Sequence, residues 1–141
     1  MQIAEFMTRS PITVNADQSV TNAAKLMRDH DLGSLPVVDS GRLVGFLTDR
    51  DIIVRCVANG EDCGRHEVRS VMSPELYCCR DSQTAEEAMS MMAMQQVRRL
   101  PVVDAEDRLV GIVNIAQLAE HGTEPSAVCE TIKAVRQATG A

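Results

Sequence analysis

The hydroxyl and carboxylate of Thr48 and Asp51 are the side chains of this sequence best suited to binding a small ligand. They lie in "GFLTDRD" (45–51), where an apolar run ends and a helical pattern begins. An ionised carboxylate can accept hydrogen bonds from two hydroxyls at once, as a ribose diol presents them, and each such bond contributes roughly 1.5–3 kcal/mol. A helix N-terminus also offers free N–H groups to an anion. The same residues are ordinary helix caps without any ligand, so both interpretations stay open.

The chain contains one unit twice. "LPVVD" occurs at 35–39 and 100–104, and "RLVG" occurs at 42–45 and 108–111. The counterpart of 45–51 in the second copy reads "GIVNIAQ" (111–117), with Asn114 and Gln117 in place of Thr48 and Asp51. Asn is a good helix cap, so the second copy can fold without the carboxylate. We therefore predict one competent site, in the first copy.

Each copy shows the same order of predicted elements. A short helix (2–7; 67–72) and a strand (12–14; 76–79) precede a helix opened by Ser19 or Thr84, a hairpin of two strands, and a final helix (50–58; 115–120). This order predicts an α/β protein of the α+β type, with two β-α-β-β-α repeats packed sheet to sheet as a pseudo-twofold pair. The expected boundaries are repeat 1 at 1–60, a linker at 61–66, repeat 2 at 67–121, and a tail at 122–141 with a short helix bearing Val128, Ile132 and Val135.

Composition limits the classes of partner. The formal net charge of −6 argues against a general nucleic-acid binder, which needs a basic face. No apolar run approaches the roughly 18 residues of a membrane span. The first residues lack the pattern of a signal peptide, and the five cysteines show no paired spacing. We therefore expect reduced thiols and a cytoplasmic location.

Two other chemistries are weaker candidates. Cys63 and His66, together with Cys129 or His121, have the residue types of a zinc site, but their spacing lacks a second pair. Linker residues are the commoner explanation, so no metal site is predicted, and thiol sensing stays an alternative. No nucleophile–base pair and no glycine-rich phosphate loop occur, which argues against an enzyme.

The sequence resembles the CBS domain in its usual tandem pair. The resemblance covers about residues 1–121 and rests on "MTRSP" and "MSP" opening the copies, on "LPVVD" and "RLVG", and on T-x-x-D at a strand-to-helix corner. It implies a homodimer and a regulatory module that needs no cofactor and binds AMP, ADP, ATP or S-adenosylmethionine. Any output would pass to a separate, unknown protein effector. A stress-associated interaction protein that binds no nucleotide, and a thiol or metal sensor, are the alternatives.

The resemblance also implies roles for individual residues. Thr48 and Asp51 would hold the ribose. The residues expected around adenine are Ile12, Thr13, Ser34 and Pro36. The candidate phosphate-binding cations are Arg50, Arg98 and Arg99, although Arg98 and Arg99 would equally suit a solvated strand edge.

Overall fold

In a computed structural model, the chain is a mixed α+β protein with two sheets, and the structure describes residues 1–74, 77–121, 129–130 and 132–135. The predicted fold class is confirmed. The strands are β1 (Thr8–Arg9), β2 (Val14–Asn15), β3 (Ser34–Asp39), β4 (Arg42–Thr48), β5 (Cys79–Arg80), β6 (Arg99–Val103) and β7 (Leu109–Asn114). The α-helices are α1 (Val20–His30), α2 (Asp49–Ile52), α3 (Ala85–Gln95) and α4 (Ile115–Glu120). Within the described residues, no helix is long and apolar enough to cross a membrane.

The chain divides into two compact units. The first unit is Ile12–Leu76, and the second unit joins Met1–Pro11 to Tyr77–Ala141. The first unit contains a three-stranded sheet in the order β2-β3-β4, and the second unit contains a four-stranded sheet in the order β1-β7-β6-β5. Each sheet has one parallel pair, β2–β3 or β5–β6, and one antiparallel hairpin, β3–β4 or β6–β7.

The compact units do not coincide with the sequence repeats, because the opening segment of each repeat packs in the unit built by the other. Ile3 is fully buried in the core of the second unit, and its backbone N–H donates to the Gln83 carbonyl at 2.9 Å. Val68 is fully buried in the core of the first unit, and its N–H donates to the Gln18 carbonyl at 2.8 Å.

The two long helices begin at the predicted residues. The Ser19 hydroxyl accepts from the N–H of Asn22, and the Thr84 hydroxyl accepts from the N–H of Glu87. Glu87 in turn accepts from the Thr84 N–H at 3.4 Å, which completes the predicted capping box. Both helices present one apolar face to the core of their unit, with Val20, Ala23 and Met27 buried in α1.

Several predicted bounds were too long. The opening helices are single 3-10 turns, Ile3–Glu5 and Val68–Ser70, because the residues that follow turn away into bridges and strands. The first strand of each repeat also begins later than predicted, at Val14 and Cys79. The final helix of repeat 1 is α2 followed by a π-helical turn, Ile53–Val57.

The predicted tail helix lies partly within the described residues. Residues 129–130 and 132–135 are helical, with Val135 buried and Ile132 39% exposed. Val128, like Leu76 at the start of the predicted strand, lies outside the described residues.

Candidate functional site

One edge of the three-stranded sheet collects the residues predicted to bind a ligand in the first unit. β2 and β3 run parallel, with Val14 opposite Val37, so both strands begin at this edge. β4 runs antiparallel to β3, with Ser34 opposite Thr48, so β4 ends there. Ser34 is 8% exposed.

Four more predicted residues lie in or next to the elements that meet at this edge. Ile12 and Thr13 immediately precede β2 and are half-buried, and Pro36 is buried in β3 opposite Phe46. Arg50 lies in the first turn of α2 and is exposed. Its guanidinium makes no hydrogen bond or ion pair with another described residue. It is therefore available to an anion approaching this edge.

Thr48 and Asp51 form a reciprocal capping box where β4 passes into α2. The Thr48 hydroxyl accepts from the Asp51 N–H at 3.0 Å, and Asp51 Oδ2 accepts from the Thr48 N–H at 3.0 Å. Two N–H groups that α2 would otherwise leave unpaired are thereby satisfied. The capping role considered from the sequence is therefore present in this structure.

The Asp51 carboxylate is also engaged by two residues that the sequence did not single out. The Ser73 hydroxyl donates to Oδ2 at 3.5 Å. Arg55 Nη1 lies 4.0 Å from Oδ1 and donates to the carbonyls of Val71 and Met72. Among the described residues no hydrogen bond reaches Oδ1, although the Asp51 side chain is only 12% exposed. One carboxylate oxygen thus keeps its capacity to accept from a ligand.

Sequence signals for these two additional residues did exist. Ser73 belongs to the "MSP" motif, whose serine pairs its backbone with Phe46 in both directions, at 3.0 and 2.9 Å. Arg55 is four residues after Asp51, the spacing at which side chains of one helix face each other. The contact with Ser73 joins residues 22 apart, so local periodicity could not reveal it.

The second repeat places an amide at the equivalent position. Asn114 and Gln117 form the same box, with bonds of 2.9 and 2.8 Å. The remaining amide group of Gln117 donates to the Phe6 carbonyl at 3.3 Å and to the Thr8 hydroxyl at 3.0 Å. The side chain is thereby occupied on both sides within the second unit.

Arg98 and Arg99 belong to the second unit, whereas the other predicted site residues belong to the first unit. Both are exposed, and Arg99 opens β6 opposite Asn114. Their predicted contact with phosphate stays a prediction.

The residues considered for zinc do not converge. His66 Nε2 lies 3.3 Å from a Glu61 carboxylate oxygen, and the His121 ring stacks on Phe6 with centroids 4.7 Å apart. Over the described part of the chain, no group of three or more His, Cys, Asp or Glu side chains could hold a metal ion.

Comparison with known proteins identifies relatives over most of the chain. The family model for the CBS domain matches residues 3–57 and 68–123. The CBS domain-containing protein YhcV of Bacillus subtilis is 44% identical over 117 residues, covering 83% of this chain and 82% of its own. Hypoxic response protein 1 of Mycobacterium tuberculosis is 36% identical over 132 residues, covering 93% and 91%.

Solved structures give the same result. Hypoxic Response Protein I, solved with two coordinated zinc ions, superposes with a TM-score of 0.79 at 35% identity, covering 87% of this chain and all of its own. CBSX2, solved with AMP, has a TM-score of 0.73 at 28% identity, covering 85% and 94%. The CBS domain pair of MJ0100, solved with 5-methylthioadenosine and S-adenosyl-L-methionine, has a TM-score of 0.74 at 25% identity, covering 86% and 94%.

Proposed function

This chain belongs to the CBS-domain family as a tandem pair, and on that basis we propose that it is a non-enzymatic regulatory module that binds an adenosine-containing ligand at the Thr48–Asp51 corner. The observation on which this rests is the Asp51 carboxylate. It lies at the sheet edge, is largely shielded from water, and has one oxygen without a hydrogen bond from the described residues. A ribose diol would supply the missing donors.

Two solved relatives support the proposed ligand class. CBSX2 was solved with AMP, and the MJ0100 pair was solved with 5-methylthioadenosine and S-adenosylmethionine. These three molecules share an adenosine and differ in what is attached to it. We therefore propose recognition of the ribose by Thr48 and Asp51, with AMP, ADP, ATP and S-adenosylmethionine as candidate ligands.

The adenine would lie against the same edge. Half-buried Ile12 and buried Pro36 offer apolar surface, while Thr13 and Ser34 offer hydroxyls. Arg50, exposed in the first turn of α2, would pair with a phosphate.

We propose a single site per chain, because the second repeat has no carboxylate at this corner to accept hydrogen bonds from a ribose. Gln117 is neutral, and its amide group is already bonded to Phe6 and Thr8. A ribose at this corner would have to break those two bonds and would meet no carboxylate in exchange.

The output would be a shift in conformational population, with the bound state favoured by its differential affinity for the ligand. We propose a homodimer as the responding assembly. Ile53, Val54 and Val57 follow α2 and are 59%, 47% and 57% exposed, which is costly for three neighbouring apolar side chains unless a second surface covers them. A separate protein would receive the signal, and the five free thiols favour a cytoplasmic setting.

A titration with each candidate ligand tests the proposal, comparing wild type with Asp51→Asn. Asn retains an oxygen to accept from the Thr48 N–H, so the capping box survives while the charge is lost. At 100 times Kd the ligand adds roughly 2.7 kcal/mol, a rise in Tm of a few degrees. Loss of one charge-assisted hydrogen bond of roughly 1.5–3 kcal/mol weakens binding about 10- to 150-fold.

Glu87→Gln is the matched control, since it makes the same acid-to-amide change in the capping box of α3. It should leave the ligand affinity unchanged. Equal binding by wild type and Asp51→Asn would refute the recognition of the ribose by Asp51. No binding of any adenosine ligand would refute the proposed function.

An interaction protein without a nucleotide site is the second candidate. The complete Thr48–Asp51 capping box favours it, because the box accounts for both residues without any ligand. Failure of every ligand to raise Tm, together with a self-association that is lost on replacing Val57 by Asp, would support this second candidate.

A further inference from the structure

Cys56 and Cys63 bring two thiols together within the first unit. Their Sγ atoms lie 2.9 Å apart, and both cysteines are free. This separation is about 0.9 Å longer than the disulfide bond of about 2.03–2.05 Å. Cys56 is fully buried in the π-helical turn after α2, and Cys63 is partly exposed in the loop that follows.

The intervening loop holds the two thiols in contact. The Glu61 N–H donates to the Cys56 carbonyl at 3.2 Å, and Gly60 adopts a φ of 69° that reverses the chain. The carbonyl of Cys63 accepts from the Thr21 N–H at 3.1 Å, which fixes the loop to the start of α1. The backbone at both ends of the contact is therefore anchored.

We propose that Cys56 and Cys63 are a redox modification site, which closes to an intramolecular disulfide on exposure to a low-molecular-weight disulfide such as oxidised glutathione. This proposal does not rest on ligand binding at the Thr48–Asp51 corner, and it uses two cysteines that no conclusion above assigns a role.

The reaction balances with the disulfide as oxidant. Cys63, the more accessible of the two, loses its proton and attacks one sulfur of the oxidant, which gives a mixed disulfide at Cys63 and releases one thiol. Cys56 then loses its proton and attacks the Cys63 sulfur, which forms the protein disulfide and releases the second thiol. Two protein thiols are oxidised, and one small disulfide is reduced to two thiols.

The environment of Cys56 sets this order of events. The neighbouring Cys63 thiol, followed by burial, raises the pKa of Cys56 to about 11. Cys56 is therefore protonated and inert at neutral pH while Cys63 is reduced. Conversion of Cys63 to a mixed disulfide removes the hydrogen bond that is the main cause of the shift, whereas burial still raises the pKa of Cys56. Closure therefore depends on the 2.9 Å approach of the two sulfur atoms, which makes Cys56 the resolving thiol.

Of the other three cysteines, Cys78 and Cys79 are internal references. Burial raises the pKa of Cys79 to about 12 and also raises the pKa of Cys78, so both should react slowly. Cys129 is exposed and would pair between molecules or with the oxidant. Cys129→Ser therefore gives a suitable background in which to follow the pair.

The test incubates the full chain carrying Cys129→Ser in glutathione buffers of increasing oxidised fraction, followed by acid quenching, alkylation and trypsin. Trypsin cleaves after Arg55 and Arg65, so one peptide, 56–65, contains both thiols and no internal cleavage site. We expect this peptide to escape alkylation and to lose the mass of two hydrogens, in proportion to the oxidised fraction, with full recovery in excess reduced glutathione.

Two variants make the result specific. Cys63→Ser changes a partly exposed residue and should leave Cys56 reduced, with no closure. Cys56→Ala should stop the reaction at a glutathione adduct on Cys63. Complete alkylation of peptide 56–65 in oxidised buffer, or a stable adduct on Cys63 while Cys56 is present, would overturn the proposal.

Discussion

Gln117 donates its amide N–H to the hydroxyl of Thr8 at 3.0 Å, whereas the equivalent Asp51 accepts from the hydroxyl of Ser73 at 3.5 Å. The two repeats thus keep one contact between a helix cap and an opening segment but reverse its direction. One oxygen of the Asp51 carboxylate accepts no hydrogen bond from the described residues. Both the oxygen and the nitrogen of the Gln117 amide are hydrogen-bonded. This reversal accounts for a carboxylate at Asp51 and an amide at Gln117 in physical terms.

Gln117→Glu should destabilise the protein. A glutamate can still accept from the Asn114 N–H, but it replaces the donor with a second oxygen that faces the Phe6 carbonyl at the 3.3 Å contact. We expect a loss of about 1–3 kcal/mol at pH 7, from urea unfolding, because a partly buried carbonyl loses its donor and faces a carboxylate oxygen instead. Ala116→Glu adds the same charge at an exposed neighbouring position and should change stability by less than about 0.5 kcal/mol. Equal stability of the two variants would contradict the contact.

The glycines of the two "RLVG" motifs leave no room for a side chain. A Cβ on Gly45 would lie 2.7 Å from the Ser73 carbonyl, and one on Gly111 would lie 2.8 Å from the Thr8 carbonyl. Gly45→Ala and Gly111→Ala should each cost about 1–3 kcal/mol of unfolding free energy, because backbone must move to admit the methyl group. Gly33→Ala is the control, since its Cβ would meet only the Asp49 carboxylate at 3.4 Å. A comparable loss in all three variants would argue against the steric explanation.

Arg55 is predicted to stabilise the fold through its hydrogen bonds to two backbone carbonyls. It donates to the carbonyls of Val71 and Met72 at 3.1 and 3.0 Å, and its side chain is 48% exposed. Arg55→Met should cost about 1 kcal/mol in urea unfolding, after allowance for solvent screening. Arg65→Met removes only a pair with Asp62 at 3.6 Å whose arginine is 86% exposed, and should be neutral within about 0.5 kcal/mol. An unchanged free energy of unfolding in Arg55→Met would show that the two carbonyls need no partner.

The β6–β7 turn should add a pH-dependent contribution to stability. Asp104 accepts from the backbone N–H of Arg108 and of Glu106 and pairs with the Arg108 guanidinium, and these contacts lower its pKa, with the Arg108 N–H as the main cause. A lowered folded-state pKa gives stability that is present above the unfolded pKa of about 3.9 and is lost as the pH falls through the folded value.

The measurement compares the urea midpoints of wild type and Asp104→Asn between pH 7 and pH 2. The wild type should be more stable at pH 7, and the difference should shrink towards the acid end. Asp17→Asn, at an exposed residue whose carboxylate has no bonded partner among the described residues, should follow the wild type at each pH. A difference that is constant with pH would show that the charge of Asp104 plays no part.

Features that depend on local chemistry were predictable from the sequence. Ser19 and Thr84 cap the helices expected of them, and α4 has the predicted bounds. The Thr48–Asp51 corner was found because its capping box depends on a spacing of three residues, and its ribose-binding role stays a prediction. The resemblance to CBS domains added the ligand class, which spacing could not provide.

Features that depend on distant partners were not predictable. The pairing of Thr8 with Ile112 and the contact of Ser73 with Asp51 are set by tertiary packing, and the sequence between them gives no periodic signal. The sequence analysis did not pair Cys56 with Cys63 and considered Cys63 only with His66, because the contact of the two thiols depends on the turn at Gly60 and the anchor at Thr21. The π-helical turn at Ile53–Val57 was likewise read as ordinary helix.

The exchange of opening segments has a consequence for how this chain can be divided. A gene cut between the two copies, near residue 60, would yield halves that each lack a buried piece of their own core: Val68 and Val71 for one, Ile3 and Phe6 for the other. Each half would therefore need the opening segment of the other half to complete its core. A cut near residue 11 combined with one near residue 76 would instead release Ile12–Leu76 with its core complete.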